Sequence, residues 1–220
     1  VLVVFTADAA RASSNIQAEI QLGIDETNQT YNNSGVRQRV RLAHAAQVAY
    51  VETGHSYTDL IRLQNSSDGY MDSVQSMRRT YGADIVSLWV EDLGEDCGIS
   101  YLMTNVSSSF APYALNVVAR DCATGYFSFG HEMGHILGAG HDRYEESDGG
   151  AFPFSHGYVH PAGRWRTVMA YNTECSDQGF YCTRIPYWSN PDVLYEGAPT
   201  GVSWNARDSA DNRLTLNQTA

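Results

Sequence analysis

The sequence predicts one folded domain of the α/β (α+β) class, on three observations. Before about residue 141, apolar runs typical of strands alternate with segments whose apolar residues recur at helical spacing. After that point the chain is rich in Gly, Pro, Tyr and Trp and shows little periodicity. No repeat, low-complexity tract or linker interrupts the 220 residues, so we expect a single domain over residues 1–220.

The first elements follow from the spacing of apolar residues. Residues 1–6 form a short β-branched run that predicts a buried strand. Isoleucines at helical spacing predict a long amphipathic helix from residue 16 that ends near Gly35. Between residues 36 and 42, arginines alternate with apolar residues, a pattern typical of a half-exposed strand with a basic outer face.

The middle of the chain predicts two further helices and three strands. Residues 57–63 and 70–81 have helical patterns and are separated by a turn-rich segment. The dense apolar run 85–90 indicates a central strand. Short strands are predicted within 97–104 and 114–119.

A helix predicted at about residues 128–137 carries candidate metal ligands. His131 and His135 are four residues apart, so both imidazoles lie on one face of the helix and can bind one cation. Glu132 is displaced round the same turn, too far to be an equal ligand but close enough to hydrogen-bond a metal-bound water. This pattern predicts that Glu132 is a general base. A last helix is predicted near 209–216.

The third candidate ligand, His141, requires the chain to leave the helix. Gly138 and Gly140 permit a sharp turn after Leu137, because glycine adopts positive φ at little cost. Three histidines leave the fourth position of a tetrahedral zinc ion open to water, as in catalytic zinc sites. A histidine pair around a glutamate arises by chance on many helices, but the added glycine and third histidine strongly disfavour an accidental or structural explanation.

The motif HEMGHILGAGH resembles the zinc signature HExxHxxGxxH of the metzincin metalloproteases, and the following Asp142 resembles the reprolysin or adamalysin branch. TVMAYN, which contains Met169, is similar to their methionine turn. The runs TGYFSFGHEMGH, RWRTVMAYN and CTRIPYWSNP resemble the bacterial peptidyl-Asp metalloendopeptidases, and the similarity covers nearly the whole chain. The resemblance implies a twisted mixed sheet with helices above a cleft, at about 1–141, and a small irregular lower subdomain, at about 142–220.

The resemblance also implies a function. It predicts a secreted endopeptidase with one zinc ion, which hydrolyses protein or peptide substrates through a zinc-bound water activated by Glu132 and cuts on the amino side of Asp or Glu. Met169 is expected to form an apolar floor under the histidines, and Asp142 to stiffen the turn by accepting backbone amides. Tyr171 departs from the adamalysin pattern. It is either an oxyanion stabiliser or fifth zinc ligand, or an ordinary packed tyrosine.

Selection of an acidic substrate side chain requires a positive group in the pocket after the scissile bond, where a guanidinium can pair with a carboxylate in bidentate fashion. Arg164, Arg166 and Arg184 flank the methionine turn, and we favour Arg184, although each is open to the simpler interpretation of a surface charge. The predicted strand near residues 99–103 offers an edge on which an extended peptide can pair.

Four cysteines, at 97, 122, 175 and 182, include no CxxC pair and are typical of a secreted protein with two disulfides. The simplest pairing is Cys97 with Cys122 and Cys175 with Cys182, although three connectivities are open. The chain begins on VLVVFT without a charged leader, so we expect that any signal peptide or propeptide has been removed or was never included in the cloned sequence.

The formal net charge of −11 argues against a nucleic-acid partner, and no stretch approaches the length of a membrane-spanning helix. This charge also repels acidic substrates at long range, so their selection requires local positive charge. The acidic run 91–96 offers oxygen ligands for calcium, but a solvated acidic loop is the simpler interpretation.

The remaining histidines are expected on the surface, because they have no ligand spacing: they are His44, His55, His156 and His160. Two other functions stay open. The chain is compatible with a zinc protease toxin that has a single protein target, or with a catalytically inactive binding module on a metalloprotease scaffold. The intact Glu132 weighs against the inactive module.

Overall fold

A computed structural model describes all residues from Val1 to Ala220, which form two compact units. The first unit comprises Val1–Thr27, Val40–Tyr101 and Ser107–Ile136. The second unit comprises Asn28–Arg39, Leu102–Val106 and Leu137–Ala220. Each unit contains its own β-sheet.

A five-stranded sheet forms the centre of the first unit. Its strands are β1 (Leu2–Phe5), β2 (His44–Gln47), β3 (Val86–Val90), β4 (Gly98–Ser100) and β5 (Leu115–Ala119). Their order is β2-β1-β3-β5-β4; β4 runs antiparallel to β5 at the sheet edge, and the other pairs are parallel. The predicted mixed α/β fold, with residues 85–90 as a central strand, is therefore confirmed.

Six helices complete the first part of the chain. They are α1 (Ala7–Ala12), α2 (Ile16–Ser34), α3 (Ser56–Gln64), α4 (Ser73–Thr80), α5 (Arg120–Ala123) and α6 (Ser128–Ile136), with a 3₁₀ helix at Ser108–Tyr113. Helices α2, α3, α4 and α6 lie where the sequence predicts helices. Helices α1 and α5 are too short, at six and four residues, to show a helical period.

The two faces of the sheet bury different side chains. Leu88 on one face packs in a core cluster with Leu60 and Leu63 of α3. Trp89, the next residue, points to the opposite face because side chains alternate along a strand. There its ring lies 5.7 Å from that of Phe129 on α6, and a Cβ at Gly23 of α2 would lie 3.2 Å from it. This packing fixes α6, the helix with the candidate ligands, against the sheet.

The predicted strand at residues 36–42 is wrong, because that stretch has no regular structure and β2 begins only at His44. The Arg39 guanidinium donates hydrogen bonds to the carbonyl oxygens of Val36 and Gln38, each at 2.6 Å. The backbone N–H of Arg37 donates to the Asn217 side chain. Hydrogen bonds to side chains thus replace the strand ladder that the alternating pattern predicted.

Short elements make up the second unit. Its strands are β6 (Val159–His160), β7 (Trp165–Arg166), β8 (Thr183–Arg184), β9 (Leu194–Tyr195) and β10 (Ala198–Pro199), and its helices are α7 (Thr173–Asp177) and α8 (Asn212–Thr219), with a 3₁₀ helix at Pro161–Gly163. β6-β7-β8 form one sheet and β9-β10 a hairpin. Strands of two residues leave no periodic pattern in a sequence, which explains why this part was expected to be irregular. The predicted terminal helix is present but begins at Asn212, after the capping residue Asp211.

Both disulfides have the predicted pairing. Cys97 bonds Cys122 with Cα atoms 5.4 Å apart, and Cys175 bonds Cys182 with Cα atoms 5.9 Å apart. The first disulfide ties the residue before β4 to α5. No helix of the protein has both the length and the apolar character needed to cross a membrane.

Candidate active site

The three predicted ligands converge. One ring nitrogen from each of His131, His135 and His141 lies within 4.8 Å of the other two. The rings of His131 and His135 are almost perpendicular, with centroids 4.8 Å apart, as expected for side chains one turn apart on α6.

The reversal after α6 brings His141 to the other two histidines, and its two glycines act differently. Gly138 has φ +83°, and a Cβ there would lie 2.6 Å from the Cβ of Ala151. This confirms the predicted left-handed residue. Gly140 does not have positive φ, contrary to expectation; a Cβ there would instead lie 2.5 Å from the carbonyl oxygen of Ser155. A side chain at position 140 would therefore collide with the backbone of Ser155, which explains the glycine.

Hydrogen bonds hold the carbonyl groups of this turn, which no longer have helical partners. The Leu137 oxygen accepts from the Thr219 hydroxyl at 2.7 Å, and the Gly140 oxygen accepts from the Asn212 side-chain amide at 3.0 Å. Nδ1 of His156 lies 3.0 Å from the His141 oxygen. Sequence reasoning missed these contacts because the donors lie far along the chain.

Asp142 links the turn to the segment around the methionine. Its Oδ1 accepts from the N–H groups of Tyr144 and Glu145, and its Oδ2 accepts from the N–H of Tyr171 at 2.8 Å. The side chain is buried. The predicted acceptance of backbone amides by Asp142 is confirmed.

Glu132 is buried on α6 beside the edge strand of the sheet. Its Oε2 accepts a 2.7 Å hydrogen bond from the hydroxyl of Ser100, the last residue of β4. Gly98 at the start of β4 leaves room for the carboxylate, since a Cβ there would lie 2.6 Å from Oε1. No sequence pattern predicts these two contacts, because β4 and α6 are adjacent only in the folded protein.

Met169 is fully buried in a turn, and Tyr171, two residues later, contacts the third ligand. The ring of Tyr171 meets that of His141 edge-on, with centroids 4.7 Å apart, and its side chain is 41% exposed. Tyr171 therefore packs against the third ligand while it keeps access to solvent.

The three candidate arginines have different environments. Arg166 is almost fully buried and donates to the carbonyl oxygens of Cys182 and Ala170. Arg164 is exposed, and its guanidinium lies 5.2 Å from the ring centre of Phe180. Arg184 is half-buried at the end of β8, and its charge acts on His141.

The remaining histidines do not all lie on the surface. His156 is fully buried, so that prediction is wrong for this residue, which supports the backbone of the third ligand. His55 is exposed as predicted, whereas His44 and His160 are half-buried. Their rings stack on those of Tyr81 and Trp165, respectively.

Burial lowers the pKa of His141 to about 4, and the positive charge of Arg184 acts in the same direction, while Glu145 opposes it. The ring is therefore neutral at physiological pH, as a metal ligand must be. Nδ1 of His141 lies 3.3 Å from a carboxylate oxygen of Glu146, an arrangement that orients a ligating imidazole.

The donor set fits a catalytic zinc ion. Zinc–nitrogen bonds of about 2.0–2.1 Å in a tetrahedron place ligand nitrogens roughly 3.4 Å apart. The three nitrogens lie within 4.8 Å of one another, so no pair has to close by more than about 1.4 Å, which side-chain rotation can supply. Three imidazoles leave one tetrahedral position open, which distinguishes catalytic from structural zinc sites.

Comparison with known proteins agrees with this geometry. Residues 1–189 match the family described as Metallo-peptidase family M12, reprolysin type. A peptidyl-Asp metalloendopeptidase of Stenotrophomonas maltophilia strain R551-3 is 41% identical over 98% of this chain and 49% of its own length. The same named enzyme of Xanthomonas campestris pv. campestris is 40% identical over 100% of this chain and 50% of its own length.

The chain spans about half the length of these two relatives. A third peptidyl-Asp metalloendopeptidase, of Pseudomonas fragi, is 34% identical, and the match covers 79% of this chain and 88% of that protein. A solved structure described as a chaperone-substrate complex shares the fold with a TM-score of 0.71 at 19% identity, over 100% of this chain and 37% of the other. The family match, the relatives and the three converging histidines together show that this chain belongs to the reprolysin-like metallopeptidases of family M12.

Proposed function

We propose that residues 1–220 form the catalytic domain of a secreted zinc endopeptidase that cuts proteins and peptides on the amino side of Asp or Glu. The observation that carries the proposal is the convergence of three imidazoles, two of which lie on the helix that also carries the buried Glu132. Such a pair of features provides both a metal site and a proton acceptor, which hydrolysis of an amide requires.

The chemistry divides between the metal and the protein. A zinc ion held by His131, His135 and His141 supplies a Lewis acid that lowers the pKa of water and polarises a carbonyl group. The carboxylate of Glu132 takes the proton of the attacking water and later delivers it to the leaving amine. We assign to the phenol of Tyr171, whose ring packs against that of His141, the donation of a hydrogen bond to the carbonyl oxygen or, alternatively, the role of a fifth ligand. Met169 packs beneath the histidines.

The substrate backbone has a binding edge in β4. This strand lies at the edge of the sheet, antiparallel to β5, so its outer side is available to an extended peptide. Backbone pairing of this kind gives affinity without a requirement for particular side chains. It also places a bound peptide next to Glu132, which contacts both ends of β4.

Selection of an acidic side chain is assigned to Arg184. The relatives are named for cleavage at aspartate, and a guanidinium can hold a carboxylate by two parallel hydrogen bonds. Arg166 is already bonded to two backbone carbonyls, and Arg164 is exposed next to Phe180. The charge of Arg184 acts on His141, which supports a position close to the metal.

Secretion is proposed from the two disulfides, which persist in oxidising compartments. A propeptide that is removed on activation is also proposed, because the relatives from Stenotrophomonas and Xanthomonas are about twice the length of the chain.

The test is digestion of a peptide library by the zinc-loaded protein, with the cut sites mapped by mass spectrometry. We expect cuts before Asp and Glu, loss of cleavage with a chelator and recovery with zinc. Glu132→Gln should lower kcat by about 10²- to 10⁴-fold while zinc stays bound. Arg184→Ala should lower kcat/KM for acidic sites by roughly tenfold to a hundredfold, because a charged hydrogen-bonded pair contributes about 1.5–3 kcal/mol.

Arg164→Ala is the matched control and should leave the cut sites unchanged, because its side chain is exposed. Unchanged acidic specificity in Arg184→Ala would remove Arg184 as the selector but leave the endopeptidase in place. A single cut in a single protein would indicate a toxin. Zinc-loaded protein that cuts nothing in the library would contradict the proposed activity and favour a binding module.

A further inference from the structure

Ser100 is hydrogen-bonded to the carboxylate of Glu132, the general base of the proposed function. The serine hydroxyl donates to Oε2 of Glu132 at 2.7 Å. Ser100 ends the edge strand β4, whereas Glu132 lies on α6, and the two residues are 32 positions apart in sequence. The hydrogen bond therefore ties the helix that carries the base to the strand at the sheet edge.

The alternation of β4 directs Ser100 towards α6. Ile99 packs against the core cluster on one face of the sheet, so Gly98 and Ser100 share the opposite face. The contacts agree with this assignment, because a Cβ at Gly98 would lie 2.6 Å from Oε1 and 2.7 Å from Cγ of Glu132. The glutamate side chain thus lies over the bare backbone of Gly98 and reaches the hydroxyl two residues further along.

A row of polar side chains continues from Ser100 into the sheet. In the strand register, Ser100 pairs with Asn116 of β5, and Asn116 pairs with Ser87 of β3. Asn116 and Ser87 are fully buried, and the Ser87 hydroxyl donates to Oδ1 of Asn116 at 2.5 Å. The neighbouring residues of β3 and β5 are apolar. Buried polar groups cost free energy of folding, so a polar row that ends at Glu132 indicates a role beyond packing.

We propose that Ser100 is a positioning residue that fixes the orientation of the Glu132 carboxylate for proton transfer; this inference rests on the proposed function. A glutamate side chain has several rotatable bonds, and a hydrogen bond to one charged oxygen removes most of that freedom. With Oε2 held by Ser100 and the chain confined by Gly98, the plane of the carboxylate is set by the sheet. Proton transfer is sensitive to such geometry, because a displacement of about 1 Å can cost roughly a hundredfold in rate.

The experiment compares three variants of the zinc-loaded protein with a peptide substrate. Ser100→Ala removes the donor and should lower kcat by about tenfold or more, while KM and the zinc dissociation constant change less than about twofold. Ser100→Thr keeps a hydroxyl and suits a strand, so it should retain most of the turnover. Ser56→Ala is the matched control, because Ser56 donates to the Asp96 carboxylate and does not contact Glu132; it should keep wild-type kcat.

Dependence on Glu132 is tested by combining Ser100→Ala with Glu132→Ala. A residue that acts through Glu132 should lower turnover no further once that carboxylate is gone. Two further measurements distinguish a positioning role from a loss of zinc or of stability. They are the zinc affinity, measured by competition with a chelator in the absence of substrate, and the melting temperature.

Each outcome of these measurements either supports or overturns the role of Ser100. Wild-type kcat in Ser100→Ala overturns the inference, as does a loss of zinc affinity or melting temperature that accounts for the lost turnover. A further loss in the Glu132→Ala background also overturns it. If the wild-type protein cleaves while Ser100→Ala is unaffected, the proposed function stands and only this inference falls. If the wild-type protein cleaves nothing, both fall.

Discussion

From the contact between Gly98 and Glu132, we predict that a substitution at position 98 lowers turnover without lowering the stability of the protein. The change is Gly98→Ala, which adds one methyl group to β4. That methyl would lie 2.6 Å from Oε1 and 2.7 Å from Cγ of Glu132. Carbon and oxygen atoms in contact are about 3.4 Å apart or more, so the glutamate has to move by roughly 0.7–0.8 Å. Alanine fits the backbone, because Gly98 does not have positive φ.

The expected effect follows from this displacement. A shift of about 1 Å in a reacting group costs roughly a hundredfold in rate, so kcat should fall by about 30- to 100-fold. Zinc binding should be retained, because the three atoms nearest to the added methyl all belong to Glu132 and not to a histidine. The assay combines kcat on a peptide substrate, zinc affinity by chelator competition and the free energy of unfolding in urea.

Gly82→Ala provides the opposite control. Gly82 has φ +60° at the end of α4, and a Cβ there would meet nothing within 4 Å. Alanine in this left-handed conformation should cost about 1–2 kcal/mol of stability and leave kcat unchanged. If Gly98→Ala keeps wild-type kcat, or if its lost activity follows its lost stability as in a general folding defect, the reasoning about Glu132 is refuted.

Two further predictions concern stability. Burial lowers the pKa of His141 from 6.5 to about 4, so the zinc-free folded state favours the neutral ring. The unfolded state binds the proton first as the pH falls below 6.5. The free energy of unfolding should therefore be highest above pH 6.5 and fall by about 3 kcal/mol as the pH drops to 4. Urea titrations of wild type and His141→Gln check this, and identical pH dependence of the two proteins would contradict it. The disulfides should differ, because Cys97–Cys122 spans 25 residues and Cys175–Cys182 spans 7. Replacing each pair by serine should cost about 3.5 and 2.5 kcal/mol, respectively, in the chain-entropy relation, and the reverse order in urea denaturation would argue against it.

Local patterns in the sequence predicted the parts of the protein that depend on local geometry. The helical spacing of His131 and His135 placed both rings on one face of α6, and the turn glycines brought His141 to them. The apolar runs at β1, β3 and β5 predicted buried strands, which the sheet confirms. In each case the residues that determine the structure are neighbours in sequence.

Local patterns do not predict contacts between residues that are far apart in the sequence. Ser100, His156 and Asn212 have no distinguishing pattern, and each gains its role only when another element packs against it. The stretch around Arg39 shows the converse error. Its alternating residues match a strand, but the guanidinium donates to carbonyl groups of its own segment and removes them from a ladder. A pattern of polarity does not record where a long side chain donates its hydrogen bonds.

The distance along the chain between the zinc turn and its supports has a consequence for biosynthesis. The turn at residues 137–141 is held by Asn212 and Thr219 of α8, and the Leu137 oxygen and the Thr219 hydroxyl are separated by 82 positions. A ribosome that has just released the HExxH segment has not yet made the residues that lock the third imidazole. Maturation of the metal centre is therefore a late event, because closing so long a loop precedes it. In a nascent chain arrested before residue 212, we expect His131 and His135 to bind zinc and His141 to bind it less firmly.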